Sequence, residues 1–367
     1  MKDECLGIEE IVRGIRGIDA EWVEEARRRT ARLAIPPRAL GRLHEISERL
    51  CGIFATVSPD VTRRAVIVMA GDHGVAAEGV SAFPQEVTGE MVRNFVRGGA
   101  AINVLARWVG AEVVVADMGI IPEIDDSVSE PHGRFRRCKV GRGTADIAQG
   151  PAMSRGQAVE SILNGFRLAS EQFDRGVQML GTGDMGIANT TPSAAIGAAV
   201  TGVSVDAMVG RGTGIGDEAL AVKRRVVERA LMVNKPDRSD GIDVLAKVGG
   251  FEIGGIAGCV LAGAYRRRPV VIDGFISTAG ALIAHCLCPQ VVDYVFAGHC
   301  SEELGHRAML KHLGLEPILD LRLRLGEGTG AALAMGIIES AARVIREVLT
   351  FEEAGVSGGT DVVPPLP

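Results

Sequence analysis

What most constrains this chain is a texture that recurs between residues 64 and 328: short apolar runs, each closed by a polar residue and usually a glycine, and set helix-lengths apart. Ala65 to Ala70 runs into Gly71-Asp72-His73-Gly74, Glu112 to Ala116 into Asp117, and Val177 to Leu180 into Gly181-Thr182-Gly183-Asp184. Val270 to Ile272 ends at Asp273-Gly274, and Asp293 to Ala297 ends at Gly298-His299-Cys300-Ser301. Runs this short and this uniformly apolar are the pattern of parallel strands buried on both faces. The expected fold class is therefore α/β, with a doubly wound, mostly parallel, Rossmann-like sheet. Open sheets of this kind bind ligands outside the carboxyl ends of their strands. One rim should then carry Asp72, Asp117, Asp184, Asp273, Ser301 and Glu327.

Composition fits that expectation. In 367 residues, 47% are hydrophobic but only 4% aromatic, while 48 are glycine, so a core must be built from small aliphatic side chains packed against backbone. The formal charge is −6 and no run of Lys or Arg exceeds three residues, as at Arg266-Arg267-Arg268, which leaves no nucleic-acid footprint. Seven cysteines, odd in number and scattered through apolar segments, read as reduced thiols. Met1-Lys2-Asp3-Glu4 does not open a secretory signal, so a cytoplasmic protein without membrane attachment is expected. The longest apolar stretch, Pro269 to Val292, is interrupted by Asp273, Gly274, Gly280 and Pro289 and reads as a buried strand followed by a buried helix.

The two ends of the chain look helical. Apolar positions at helical spacing run from 8 to 33, Pro36-Pro37 stops them, and a second helical stretch spans Ala39 to Phe54. A last helix is expected from Thr329 to Leu349, followed by a Gly/Pro-rich tail. The expected organisation is a small helical domain from residues 1–58 and 329–352, an α/β domain over 59–328, and a frayed tail over 353–367. Residues 121–142 break the pattern with charges and turn formers and read as a surface loop or hairpin.

Three stretches carry chemistry. Leu321-Arg-Leu-Arg-Leu-Gly-Glu-Gly-Thr-Gly330 alternates like a strand and then presents Glu327 on a bend between glycines, where backbone or a ligand can approach its carboxylate. Gly181-Thr-Gly-Asp-Met-Gly186 formally matches a dinucleotide fingerprint, but Pro192 places the helix start late, with Thr190 or Thr191 as its cap and free N–H groups for an anion. A second glycine-rich turn, Gly210 to Gly216, adds N–H donors, and Lys223 adds a charge. There is no P-loop motif and no pair of acids ahead of a T-G-G-T turn. His285-Cys286-Leu287-Cys288 lacks a second ligand pair for a metal, and His299, Glu302 and His306 read as solvated or capping residues.

Ala70-Gly-Asp-His-Gly-Val, Phe83-Pro-Gln-Glu-Val-Thr, Gly98-Gly-Ala-Ala-Ile-Asn, Gly186-Ile-Ala-Asn-Thr-Thr-Pro-Ser, Gly249-Gly-Phe-Glu-Ile-Gly-Gly, Asp273-Gly-Phe and Leu323-Arg-Leu-Gly-Glu-Gly-Thr-Gly together resemble nicotinate-nucleotide:dimethylbenzimidazole phosphoribosyltransferases, from the lower-ligand branch of cobalamin synthesis. The resemblance runs from about Pro36 to Leu349. It implies transfer of the 5-phosphoribosyl group of nicotinate mononucleotide to 5,6-dimethylbenzimidazole with inversion at the anomeric carbon, without cofactor or metal, by a homodimer.

Carried over by that resemblance, Glu327 is the general base, and Phe83, Pro84, Met91, Met185 and Leu325 line the pocket of the flat base. Gly186, Gly212, Lys223, Ser301 and Arg324 hold phosphate and ribose, with Asp273 counted among the substrate-binding residues. Asp184 stands where the family usually has glutamate, one methylene longer, and is assigned to steadying positive charge on the sugar. Two other classes fit parts of the chain. A mononucleotide-binding protein without catalysis would keep both glycine turns but has no use for Glu327 among its glycines. A nicotinamide-dependent oxidoreductase would exploit the G-x-G-x-x-G match.

Overall fold

The computed structural model describes residues 6–124, 134–212 and 214–357. Among these residues six strands form one sheet: β1 (Arg64–Gly71), β2 (Ala111–Gly119), β3 (Arg134–Arg137), β4 (Met179–Met185), β5 (Val270–Ile272) and β6 (Val295–Ala297). Every pairing is parallel and the order is β3-β2-β1-β4-β5-β6. The order reverses between β1 and β4.

Helices account for most of the remaining chain. Three precede the sheet, α1 (Ile8–Gly14), α2 (Ala20–Arg32) and α3 (Arg42–Phe54); α4 (Val87–Arg97) and α5 (Ala101–Trp108) join β1 to β2. α6 (Arg155–Asp174) leads into β4, and α7 (Thr190–Thr201), α8 (Val205–Met208), α9 (Asp217–Asn234), α10 (Gly241–Val248) and α11 (Phe251–Tyr265) separate β4 from β5. α12 (Phe275–Leu287) precedes β6, and α13 (His306–His312), α14 (Thr329–Glu347) and α15 (Phe351–Ala354) close the chain.

Two layers of helices sandwich the sheet, which is why its strands read as unbroken apolar runs. All eight residues of β1 are buried. Met69 and Gly71 face α11, while Val66 faces the turn into α14. α11 lies across β1, β4 and β2 and packs on α6 and α12; on the other side α14 packs on β4, α5 and α3. The glycines set the closeness of these contacts: a Cβ at Gly165 of α6 would overlap the carbonyl of Gly255, and one at Gly258 of α11 the carbonyl of Ile162. Small residues thus do what aromatic bulk does in other cores.

Several expectations change in detail. Residues 8–33 form two helices, α2 starting afresh where the Asp19 carboxylate accepts N–H bonds from Glu21 and Trp22. The second stretch begins at Arg42, because Gly41 at φ +51° breaks the helix before it. Pro269 to Val292 is β5, α12 and a 3-10 turn. Within 121–142 there is no antiparallel hairpin among the described residues; β3 pairs parallel with β2, and residues 125–133 lie outside the description.

Leu321 to Leu325 is not a strand. Arg322 sits at φ +55°, which a strand cannot absorb, and Leu321 and Leu325 are more than half exposed. Residues 353 and 354, expected in the frayed tail, belong to α15, whose start Thr350 caps by accepting the Glu353 N–H at 3.1 Å; residues 358–367 are not described.

Candidate active site

A cavity of about 330 Å³ opens at the carboxyl ends of β4, β5 and β6. Glu327 forms part of its wall. The residue itself adopts φ +64° between Gly326 at +86° and Gly328 at +92°, so three consecutive left-handed residues fold the chain into a tight turn at the start of α14. That turn is tucked against β4: Glu327 N–H donates to the Asp184 carbonyl at 3.2 Å, and a Cβ at Gly183 would overlap the Glu327 carbonyl. Glu327 is only 5% exposed, and its Oε2 accepts the backbone N–H of Ile102, in the first turn of α5, at 3.2 Å. Burial raises its proton affinity above that of an ordinary glutamate, the Ile102 N–H opposes this, and the nearby Asp273 charge adds to it. The desolvation comes from this tucking, since Leu325 is more than half exposed.

Asp184 lies at the end of β4 behind Gly326, whose Cβ, were there one, would sit 3.1 Å from Asp184 Oδ2. Asn189 Nδ2 donates to that oxygen at 3.0 Å, while Oδ1 has no hydrogen-bond partner among the described residues. Burial pushes the carboxyl well above the usual range, helped by the like charges of Asp273, Glu252 and Glu327 and opposed by Asn189. Two buried carboxyls therefore face one cavity, each with an oxygen held by an N–H donor.

A cationic and N–H-rich cluster forms another part of the site. Lys223 is fully buried on α9 and donates to Thr190 Oγ1 at 2.7 Å, at the first residue of α7. Burial lowers its pKa to about 8, with Glu303 pulling the other way. Gly212, at φ +52°, passes so close that a Cβ would lie 3.0 Å from Thr190 Oγ1 and 3.1 Å from Lys223 Nζ. Arg324 and Ser301 complete the wall, and the Ser301 hydroxyl accepts the Glu303 N–H at 3.3 Å. Ser301 is fixed from below by His306: its N–H donates to His306 Nδ1 at 2.8 Å, and His306 Nε2 meets Thr278 Oγ1 at 2.8 Å. Thr278 itself donates to the Gly274 carbonyl, so the ring must carry its proton on Nε2. Burial drives the His306 pKa to about 3, which keeps it neutral.

The apolar wall comes from Phe83, from Val87 and Met91 one turn apart on α4, and from Met185, Ile187 and Leu325. Of the residues expected in the site, Glu327, Asp184, Phe83, Met91, Met185, Gly186, Gly212, Ser301, Arg324 and Leu325 line this cavity. Pro84 does not; its carbonyl accepts the Val87 N–H at the start of α4. Lys223 stands behind Thr190 and Gly212, and Asp273 is wholly buried beneath the Glu327 turn.

On the rim, Asp72 accepts the Ile121 N–H at 2.7 Å and Asp117 the Ile120 N–H at 2.9 Å, so both are occupied holding the loop after β2. His299 and His306, read from sequence as solvated or capping, are buried. The helix cap is Asn189 rather than Thr190 or Thr191, and its side chain turns to Asp184 instead of the helix. Gly181 and Gly183 lie inside β4 and not in a turn: they clear room for Met335 of α14 and for the Glu327 turn.

Sequence reasoning named Thr190 only as a helix cap and His299 only as a solvated or capping residue, and it missed Val87, Ile187, Asn189, Ile276 and Glu303 on the wall. Each lies within a few residues of a residue it did name, so extending every motif by one turn would have found them.

Fold and cavity define a class, an α/β transferase with a buried acid facing an apolar wall and an anion-ready cluster, and a family model described as phosphoribosyltransferase matches residues 15–356. Curated relatives named nicotinate-nucleotide–dimethylbenzimidazole phosphoribosyltransferase include one from Geobacter sulfurreducens, 56% identical over 93% of this chain and 96% of its own length. Another, from Chloroflexus aggregans, is 54% identical over 93% of this chain and 95% of its own length. The crystal structure of CobT from Thermus thermophilus superposes with a TM-score of 0.88 at 49% identity, covering 92% of this chain and all of that one. The chain belongs to the nicotinate-nucleotide–dimethylbenzimidazole phosphoribosyltransferase family.

Proposed function

We infer that this chain transfers the 5-phosphoribosyl group of nicotinate mononucleotide to 5,6-dimethylbenzimidazole, giving α-ribazole 5′-phosphate and nicotinate for the lower ligand of a cobalamin. The observation that carries the reading is Glu327, a buried carboxylate with raised proton affinity on the wall of a cavity whose other walls suit a flat aromatic ring and an anion. Its carboxylate takes the N–H proton of the benzimidazole while the other ring nitrogen attacks C1′ of the ribose. As that C–N bond forms, the bond from C1′ to the pyridinium breaks, and its electron pair returns to nicotinate. The leaving ring is already cationic, so no acid is required. Attack from the opposite face inverts the anomeric centre.

Phe83, Met91, Met185 and Leu325 hold the benzimidazole, and Gly186, Gly212, Ser301 and Arg324 hold the ribose phosphate, with Lys223 supplying charge from behind Thr190. Asp184 steadies positive charge on the sugar. Its raised proton affinity belongs to the free protein; a bound pyridinium cation favours the carboxylate and draws the proton off. We further read the N- and C-terminal helices as a small domain beside an α/β domain over residues 59–328, in a cytoplasmic homodimer. Among the described residues no helix is long and apolar enough to cross a membrane.

The test is a chromatographic assay with nicotinate mononucleotide and 5,6-dimethylbenzimidazole, run beside Glu327→Gln. Wild type should release nicotinate and α-ribazole phosphate in equal amounts, and the variant should lose about a hundredfold or more in kcat. Mononucleotide binding without product on any base would instead identify a binding protein.

A further inference from the structure

Asp273 is a buried acid that no step of the reaction uses. It follows β5 and is wholly buried, yet its carboxylate is saturated with backbone donors from a distant segment. Oδ2 accepts the N–H of Gly328 at 3.1 Å; Oδ1 accepts those of Gly330 at 2.6 Å and Ala331 at 3.0 Å. His299 Nε2 stands 3.6 Å from Oδ1. The three donors are the free N–H groups at the start of α14, immediately after Glu327. They are groups that water or an ordinary cap satisfies in most helices. Here Gly328, the residue before α14, is left-handed and has no side chain with which to cap it.

We propose that Asp273 is the positioning residue for Glu327: its buried carboxylate clamps the left-handed turn from beneath. A turn of three positive-φ residues, one of them a glutamate, is a strained conformation that persists only where surrounding structure over-determines it. Three hydrogen bonds to one carboxyl group, whose proton affinity burial raises and His299 and these same N–H donors hold down, supply that over-determination together with the Glu327 N–H bond to the Asp184 carbonyl on the other side. The carboxylate also lies close enough to Glu327 to disfavour a second negative charge there, and hence to favour proton uptake. Among the described residues, the charged and titratable groups that share the cavity or its floor with Glu327 are Asp184 at the end of β4, Asp273 after β5, His299 and Glu303 after β6 and Arg324 on its own segment. α5 contributes the Ile102 N–H, and α4 faces the cavity with Val87 and Met91.

The inference rests on reading Glu327 as the base, so the experiment separates the two. The pH dependence of kcat/KM and of kcat is measured for wild type, Glu327→Gln, Asp273→Asn and Asp240→Ala. Asp240 caps α10 with its carboxylate, far from this chemistry, and controls for the loss of a helix cap. Asp273→Asn should lower kcat by about tenfold or more with the KM for nicotinate mononucleotide within about threefold. Its acid-side limb, where the base must lose its proton, should move to lower pH by roughly half a unit or more, because a like charge has been removed. Asp240→Ala should lower the melting temperature and leave the limb in place.

An inactive Glu327→Gln beside an Asp273→Asn with unmoved limb and kcat overturns the role of Asp273 alone. A fully active Glu327→Gln overturns both. Should Asp273→Asn not fold, hydrogen exchange on the wild type decides: the amides of Gly328, Gly330 and Ala331 should be protected as core amides are, and exchange at loop rates overturns the clamp.

Discussion

At the scale of single residues, Asp184 is the buried acid whose surroundings make the most specific demands. Asn189 holds one oxygen of its carboxyl group, while the other has no hydrogen-bond partner among the described residues. That geometry predicts two separable effects of Asp184→Asn. Turnover should fall by about tenfold or more if the carboxylate steadies the sugar's positive charge; a kcat within about threefold of wild type would contradict that role. Stability should move the other way. The native carboxyl keeps its proton well above the ordinary value of 3.8, whereas the unfolded chain loses it there. Between those limits the native state binds more protons, so wild-type stability declines as pH rises from about 4 through the native pKa. Asparagine cannot titrate. The variant should therefore melt higher than wild type at pH 8 and show little difference near pH 4, which thermal melts at the two pH values will register.

Among the elements, β4 and the turn into α14 form one unit, although nearly 150 positions separate them in the sequence. Gly183 lets the Glu327 backbone lie against the strand, and Gly181 admits Met335 and Val66. Gly183→Ala should accordingly displace the turn: we expect a loss of about 1–3 kcal/mol in stability and at least a tenfold loss of kcat. Gly150→Ala, where a Cβ would meet nothing within 4 Å, should change stability by no more than about 0.5 kcal/mol.

The same unit explains what the sequence made legible. Strands covered on both faces are uninterrupted in their apolar character, so the core of the sheet could be read directly from runs such as Ala65 to Ala70. Glycines in Gly181-Thr-Gly-Asp read as a turn, because the partner that requires them arrives from another part of the chain. Leu321 to Leu325 read as a strand because alternation is all a sequence can show; the positive φ at Arg322 carries no residue signature. The Ile102 N–H on Glu327 was invisible for a related reason, since a backbone donor has no residue identity.

For the whole molecule, the cavity lies outside the carboxyl ends of β4, β5 and β6, the edge at which open α/β sheets bind ligands; Gly212 reaches it from the β4–β5 crossover and Glu327 from the segment after β6. A homodimer should appear in light scattering at twice the mass of the chain, and a monomeric mass would refute it. The cavity wall is also divided in how firmly it is built. Phe83, on the irregular segment before α4, is 52% exposed, and Leu325 is 58% exposed, whereas Asp184, Lys223, Ser301 and Glu327 are locked into buried networks. Substitutions at the two exposed positions can reshape the apolar wall without disturbing the core that folds the chain. An enzyme of this construction can drift, or be steered by design, towards a new acceptor ring while its hold on the sugar phosphate stays fixed.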